Sequence, residues 1–345
     1  FAERVASDQA LHDLGGISVS YQRSEESLPW LQATAMHVHF AFSPARAVGE
    51  RVAGSKIDQF VAAGYIHDHA FDKVEARSKH LRSSLEAAGA RFIVCFFDEG
   101  SASDKRDNVS HAHAAENYRF LLERLLEDVT LGLIFKPKKP STLRERLPSD
   151  VERLLSNAIA TGRCVVMEEG IAATPELPCE PAAAADICVG LLMGATATLE
   201  GRLSGTPSLL LDRERVTFHP LYRLGEGRVV FEDWTTLWEG LDAYRADAST
   251  IPGFGDWSVL LDDIDPFRDG RAAERMGQYL CSLSNELATG RSREEALEIT
   301  ALRYAESWGY DKVMDLRSEL PVPTRELRDD ADFHTTHIEA QAVSV

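Results

Sequence analysis

The sequence is short of cysteine and of long apolar runs. Its five cysteines are odd in number and scattered over 345 residues, which argues against a disulfide framework or a zinc site and favours reduced, buried thiols. No apolar run reaches the roughly 18 residues that a membrane-spanning helix needs. No signal peptide is recognisable at the start of the chain. We therefore expect a cytoplasmic protein without a transmembrane segment.

Positive charge is also scarce. The chain has 37 Lys and Arg against 55 Asp and Glu, a formal net charge of -18. Because nucleic-acid backbones are bound by basic surfaces, we predict no nucleic-acid partner. The sequence also lacks a Gly-x-Ser-x-Gly elbow, a Walker loop and a Cys-x-x-Cys pair. Serine hydrolases, NTPases and thiol oxidoreductases therefore find no support.

What the sequence does contain is an alternation of apolar runs and helical patterns. Several of these runs are continuously apolar, as in strands buried on both faces of a parallel sheet. The pattern predicts an α/β fold with a Rossmann-type parallel sheet. The predicted strands of this sheet are 91–97, 131–135, 164–167, 187–189, 208–211 and 228–231, and the helices between them include 114–126, 149–161, 196–203 and 233–243.

One segment, residues 186–212, predicts a fold and a binding site together. Its pattern is a strand, a turn of small residues, a short helix over 196–203 and a second strand over 208–211. Two strands joined through a helix form a right-handed parallel crossover. The amino end of the helix therefore lies at the carboxyl edge of the sheet, where open α/β sheets bind ligands.

The small residues of this turn suit a phosphate group. Backbone N–H groups and hydroxyls at the positive end of a helix can bind an anion. We expect Glu200, about one turn further into the helix, to accept hydrogen bonds from ribose hydroxyls. The predicted phosphate-binding residues are Gly194, Ala195, Thr196, Ala197 and Thr198.

The segment resembles the nucleotide-sugar motif in the C-terminal domain of GT-B glycosyltransferases. In that family a small-residue turn precedes a helix with an acidic residue, followed by Gly-x-Pro and a buried strand. Thr196, Thr198 and Glu200 fall on the phosphate and ribose positions, and Gly205 with Pro207 on the Gly-x-Pro. A strand-turn-helix of this kind also occurs in α/β proteins generally.

The resemblance implies a metal-independent glycosyltransferase of bacterial surface-polysaccharide biosynthesis. Its substrates would be a nucleotide-sugar donor and a glycan or lipid-linked glycan acceptor, with no cofactor. Such an enzyme would be cytoplasmic and peripheral to the inner membrane. In GT-B folds the terminal helices also cross back onto the first domain.

Two lysines follow the predicted strand 131–135. Lys136 and Lys138 lie in a Lys-Pro-Lys-Lys-Pro run, and either can balance the charge of an anionic donor at a sheet edge. The run is similar to the Lys-x-His-Pro loop of GT-B enzymes that use CMP-activated acidic sugars, although Lys138 replaces the histidine. A solvated basic turn is the alternative.

Two carboxylates follow the predicted strand 91–97. Asp98 and Glu99 end that strand, and we expect both to point into the crevice between domains, as candidates for the base or nucleophile. Acidic residues at strand ends also cap helices or pair with arginine. A residue from an N-terminal portion preceding Phe1 could perform the catalytic step instead.

Three units are predicted along the chain. Residues 1–88 form a partial N-terminal α/β domain on the acceptor side, with the interdomain linker. Residues 89–320 form the nucleotide-sugar domain with C-terminal helices, and 321–345 a loose tail. A capping box at Ser292 opens one of these helices, and the run from Asp265 to Gly270 resembles surface-polysaccharide synthesis proteins.

Metal binding was weighed at two places. His37 and His39 share one side of a strand and could both reach a metal, as in metal-dependent amidohydrolases. Asp263 and Asp265 have the Asp-x-Asp spacing of other glycosyltransferases, but capping is favoured there. We predict no metal site. The remaining alternatives are a sugar-nucleotide epimerase or hydrolase and a non-catalytic nucleotide-binding module.

Overall fold

The computed structural model describes residues 7–25 except 8 and 12, and residues 33–103, 109–167 and 177–317. Within these ranges the strands form two sheets. Sheet A has the order β1-β2-β3-β10, with three parallel strands and an antiparallel last strand. Its strands are β1 (Val19–Tyr21), β2 (Ala35–Ala41), β3 (Lys56–Ala62) and β10 (Val313–Met314).

Sheet B is parallel throughout and has the order β6-β5-β4-β7-β8-β9. Its central strands are almost entirely buried, which is why they are continuously apolar in sequence. The predicted Rossmann-type sheet is thereby confirmed. Its strands are β4 (Phe92–Phe97), β5 (Leu131–Lys136), β6 (Cys164–Val166), β7 (Ile187–Leu191), β8 (Ser208–Leu211) and β9 (Val230–Phe231).

Helices cover both sheets, and polar caps fix where several of them begin. Ser110 and Asp233 accept N-terminal backbone N–H groups, and the predicted capping box at Ser292 is present. The helices in the described ranges are α1 (Arg46–Val52), α2 (Glu75–Ala87), α3 (His111–Glu127), α4 (Leu143–Arg146), α5 (Ser149–Ala160), α6 (Cys179–Ala184), α7 (Thr196–Leu203), α8 (Trp234–Ala246), α9 (Ser258–Ile264), α10 (Ala272–Ala288) and α11 (Arg293–Trp308).

The last two helices return to sheet A. Apolar residues of α10 and α11 share a core with β2 and β3, and the Tyr304 hydroxyl donates to the carbonyl of Ala62 at 2.8 Å. Arg275 is fully buried: it donates to the carbonyl of Ala63 at 3.2 Å, pairs with Asp269 and lies over the Phe267 ring at 3.7 Å. Helices α10 and α11 therefore pack on sheet A, although they follow the strands of sheet B in the sequence.

Several sequence expectations can be compared with these elements. Helix 196–203 and strand 208–211 are observed with the predicted bounds. The thiols are free, but Cys281 is exposed, so the expectation of buried thiols is wrong for this one. The predicted tail 321–345 lies outside the described residues. In the described ranges no helix is long and apolar enough to cross a membrane.

Candidate functional site

The strand order of sheet B defines where its ligand crevice lies. Counted in chain order from β4, the strands are arranged 3-2-1-4-5-6, the order of dinucleotide-binding folds. The chain moves outward from β4 to β6 and then returns to the other side of β4 at β7. Ligands of open α/β sheets bind beyond the carboxyl ends of the strands at this reversal. The β4–β7 edge is therefore the candidate site.

The turn after β7 lies at this edge, as the sequence predicted for residues 194 to 198. Gly194 has φ +123°, a backbone conformation that favours glycine. Ala195 is fully buried, and Ala197 is half-buried. The hydroxyl of Thr196 accepts a hydrogen bond from the backbone N–H of Glu25 at 2.9 Å. The amino end of α7 thus faces the segment that follows β1 of sheet A.

Thr198 has a different environment from Thr196. It is fully buried, and its hydroxyl finds no hydrogen-bond partner among the described residues. A β-carbon on Gly190 would overlap this hydroxyl, so the glycine makes room for it under β7. The expected contact between Thr198 and a phosphate stays a prediction.

Glu200 holds two elements together. Its Oε1 accepts the backbone N–H of Cys179 at 2.8 Å, and its Oε2 accepts the Tyr65 hydroxyl. The side chains of Glu200 and Tyr65 are both buried. Burial and the neighbouring Glu200 carboxylate raise the pKa of Tyr65, so the phenol is the donor. In this arrangement Glu200, which the sequence predicts to bind the ribose, joins α7 to the segment that follows β3.

Glu99 lies beside the turn after β7. A β-carbon at Gly194 would overlap its carboxyl group, and Lys138 forms an ion pair with it. The Lys138 side chain is 56% exposed and that of Glu99 is 16% exposed. Burial raises the pKa of Glu99 in spite of the lysine. Glu99, Lys138 and Gly194, which the sequence predicts for the site and which belong to separate loops, therefore meet at the β4–β7 edge.

Asp98 has different neighbours. It is buried, its Oδ2 accepts the Tyr118 hydroxyl at 3.3 Å, and Arg146 Nη2 is 4.0 Å away. Its Oδ1 has no hydrogen-bond partner in the described ranges. Burial raises the pKa of Asp98 to about 7, although Arg146 and Tyr118 oppose the shift. The two predicted catalytic carboxylates thus have separate environments.

Arg146 connects the loops that follow β4 and β5. It donates to the Ser101 hydroxyl at 2.7 Å and to the carbonyl of Lys139 at 3.1 Å. Ser101 also lies 2.9 Å from Nδ1 of His111. No sequence pattern indicates a role for Arg146. Lys136, the last residue of β5, is half-buried.

The histidines weighed as metal ligands face β1. Nδ1 of His37 lies 3.0 Å from the Ser18 hydroxyl, and Nδ1 of His39 lies 2.7 Å from the Ser20 hydroxyl. Both side chains are buried. Over the described ranges, no group of three or more His, Cys, Asp or Glu has a geometry that could hold a metal ion.

The fold and the site define a class. The chain forms two mainly parallel sheets, and helices α10 and α11 return to the first of them. This is the mixed α/β, GT-B-like architecture that the sequence predicted.

Among the comparisons with known proteins, only the one with solved structures found similar chains. No protein-family model matches the sequence, and no curated protein does. Similar solved structures include S. aureus MnaA with UDP, at 15% identity and TM-score 0.46, over 72% of this chain and 61% of that one. Anabaena HepE with UDP and glucose has 13% identity and TM-score 0.48, over 81% and 76%.

A third similar structure is the wall teichoic acid polymerase TagF, at 8% identity and TM-score 0.46, over 79% of this chain and 59% of that one. In the comparison with MnaA, this chain spans about 61% of the length of the other protein. At these identities the likeness is one of fold alone.

Proposed function

We propose that this protein is a nucleotide-sugar enzyme, a GT-B glycosyltransferase that moves a sugar from a nucleotide-activated donor to a surface-polysaccharide acceptor. The observation that carries the proposal is the convergence of Glu99, Lys138 and the turn at Gly194 on the β4–β7 edge. Ligands of open α/β sheets bind at such an edge, which supports the proposal. Glu99, Lys138 and Gly194 are among the residues that the sequence predicts for the site, and their roles are part of the proposal.

The chemistry of the edge suits a diphosphate leaving group. The amino end of α7 supplies a positive dipole and N–H groups. Lys138 supplies a cation on a flexible, exposed stem. Such groups stabilise the charge that develops on a departing phosphate without a metal ion. Thr196 is placed at the same end of the helix, and its contact with the donor phosphate is part of the proposal.

The reacting carboxylate is also a proposal. Asp98 has a pKa of about 7, the acidity that suits a general base at neutral pH. Since it is 5% exposed, an acceptor reaches it only when the loop after β4 shifts. Glu200, as the proposed ribose ligand, likewise requires the Tyr65 hydroxyl to move aside.

Nucleotide titration by calorimetry tests the donor site. We expect one of UDP, GDP or CMP to bind and Lys138→Ala to weaken binding about tenfold, because a charge-assisted contact to phosphate is lost. The UDP of the MnaA and HepE structures belongs to those proteins and only suggests which nucleotide to titrate first. The absence of binding by all three nucleotides would refute the proposal.

A matched control is available on α2. Lys79 is also an exposed lysine paired with a glutamate, Glu75, but it lies outside the crevice. Lys79→Ala should bind nucleotide as the unmodified protein does. Equal weakening by both lysine variants would show a general effect of charge and contradict a local donor site.

Turnover assays separate transfer from the alternative reactions. A transferase consumes the sugar nucleotide only when acceptor is present. An epimerase or hydrolase converts it without acceptor, and a binding module converts nothing. Product analysis with a labelled sugar nucleotide, with and without a lipid-linked glycan, distinguishes the three outcomes.

A further inference from the structure

The crevice contains an anion that belongs to the protein. The carboxyl group of Glu99 lies where a β-carbon of Gly194 would be, directly beside the turn that begins α7. That place is the position expected for the donor phosphate at the strand reversal. Lys138, the cation proposed to balance the donor, is paired with this carboxylate.

Two lysine side chains lie beside the loop around Glu99. Gly100 follows it, and a β-carbon there would be 3.6 Å from the Lys138 stem and 3.8 Å from the Lys139 stem. The two lysine stems therefore lie against the backbone after Glu99. The Lys138 side chain is 56% exposed. Its ammonium group is therefore free to turn from the Glu99 carboxylate to another anion.

Two anions cannot share this place at low cost. A phosphate beside the Glu99 carboxylate would meet a like charge, and Lys138 is already paired with that carboxylate. Glu99 and a donor phosphate must therefore exclude each other, or the donor must bind elsewhere.

We propose that Glu99 is a resident anion that fills the donor-phosphate position and holds Lys138 until a nucleotide displaces it. This inference rests on the proposed function, because it assigns a role to a residue of the same crevice. Glu99 then sets the affinity for the donor, and its removal strengthens nucleotide binding. A glutamate that serves only as catalytic base or structural partner would not have this effect.

Calorimetry on Glu99→Gln and Glu99→Ala tests the proposal. We expect the nucleotide that the unmodified protein binds to bind about tenfold tighter to both variants, since one competing charge-assisted hydrogen bond is lost. Glu75→Gln is the matched control, because Glu75 is also paired with a lysine. This variant should bind the nucleotide with the affinity of the unmodified protein. Circular dichroism melts confirm that each variant is folded.

Acetate provides a second readout. It should refill the space left in Glu99→Ala and return the nucleotide affinity toward that of the unmodified protein, without affecting the unmodified protein itself. Unchanged or weaker binding by both Glu99 variants, or no effect of acetate on Glu99→Ala, would overturn the inference and leave the proposed function intact. If no nucleotide binds the unmodified protein, the proposed function fails first.

Discussion

Asp265 and Asp98 are both buried, yet they lie in opposite kinds of surroundings. The carboxylate of Asp265 accepts three backbone N–H groups, from Tyr65 at 3.0 Å, Phe267 at 3.0 Å and Arg268 at 3.3 Å. Asp98 accepts one hydroxyl at 3.3 Å, and its other oxygen has no partner within the described part of the chain.

The difference separates a structural junction from a candidate reactive edge. Three backbone donors hold the Asp265 carboxylate in place. Asp265 thereby joins the end of sheet A to the segment leading into α10. Asp98 has one carboxylate oxygen without a partner in the described ranges, and burial raises its pKa. Perturbed groups of this kind are concentrated at functional sites.

Asp265→Ala should show the largest effect. It leaves three buried or half-buried N–H groups without an acceptor, so we expect a loss of about 3–5 kcal/mol in the free energy of unfolding. Urea titration measures it. The control is Asp263→Ala, two residues away, whose side chain is 53% exposed and 3.4 Å from Arg223; it should change stability by less than about 0.5 kcal/mol. Equal losses of stability in the two variants would show that the backbone hydrogen bonds of Asp265 have no special weight.

Asp98→Asn should stabilise the protein at alkaline pH. The folded-state pKa of about 7 lies above the ordinary value of 3.8, so the contribution of Asp98 to stability is full below about pH 4 and is lost as pH rises through about 7. The amide cannot ionise, although its N–H groups need partners. We expect a gain of about 2 kcal/mol at pH 8 and much less at pH 5.

Urea titration at the two pH values measures this gain. A variant that is less stable than the unmodified protein at pH 8 would show that the Asp98 carboxylate is well accommodated. The contrast with Asp265 would then be false.

Arg146→Met should have the smallest of the three effects. Since Arg146 lowers the pKa of Asp98, its removal should move the Asp98 titration midpoint further upward. Carbon-13 NMR of the aspartate carboxyl carbons follows that midpoint. Arg144→Met is the control, because Arg144 is on the same short helix but pairs with Glu152. A midpoint that does not move would exclude Arg146 as the partner of Asp98.

The sequence by itself determined the elements of sheet B and several residues of the candidate site. The continuous apolar runs of β4, β5 and β7, the helix 196–203 and the capping box at Ser292 are local patterns, and local hydrogen bonding and burial are sufficient to specify them. Asp98, Glu99 and Lys138 are predicted for the site because polar residues after buried strands lie at one edge of a parallel sheet.

Only the tertiary structure decided which of these residues meet. The strand order 3-2-1-4-5-6 puts β4 beside β7 and so brings Glu99 close to Gly194. Helices α10 and α11 pack on sheet A, far from it in sequence. Tyr65 and Glu200 are 135 positions apart, and no local pattern specifies their contact. Such pairs depend on how whole elements pack, because side-chain contacts over long separations follow from the arrangement of the layers and not from periodicity along the chain.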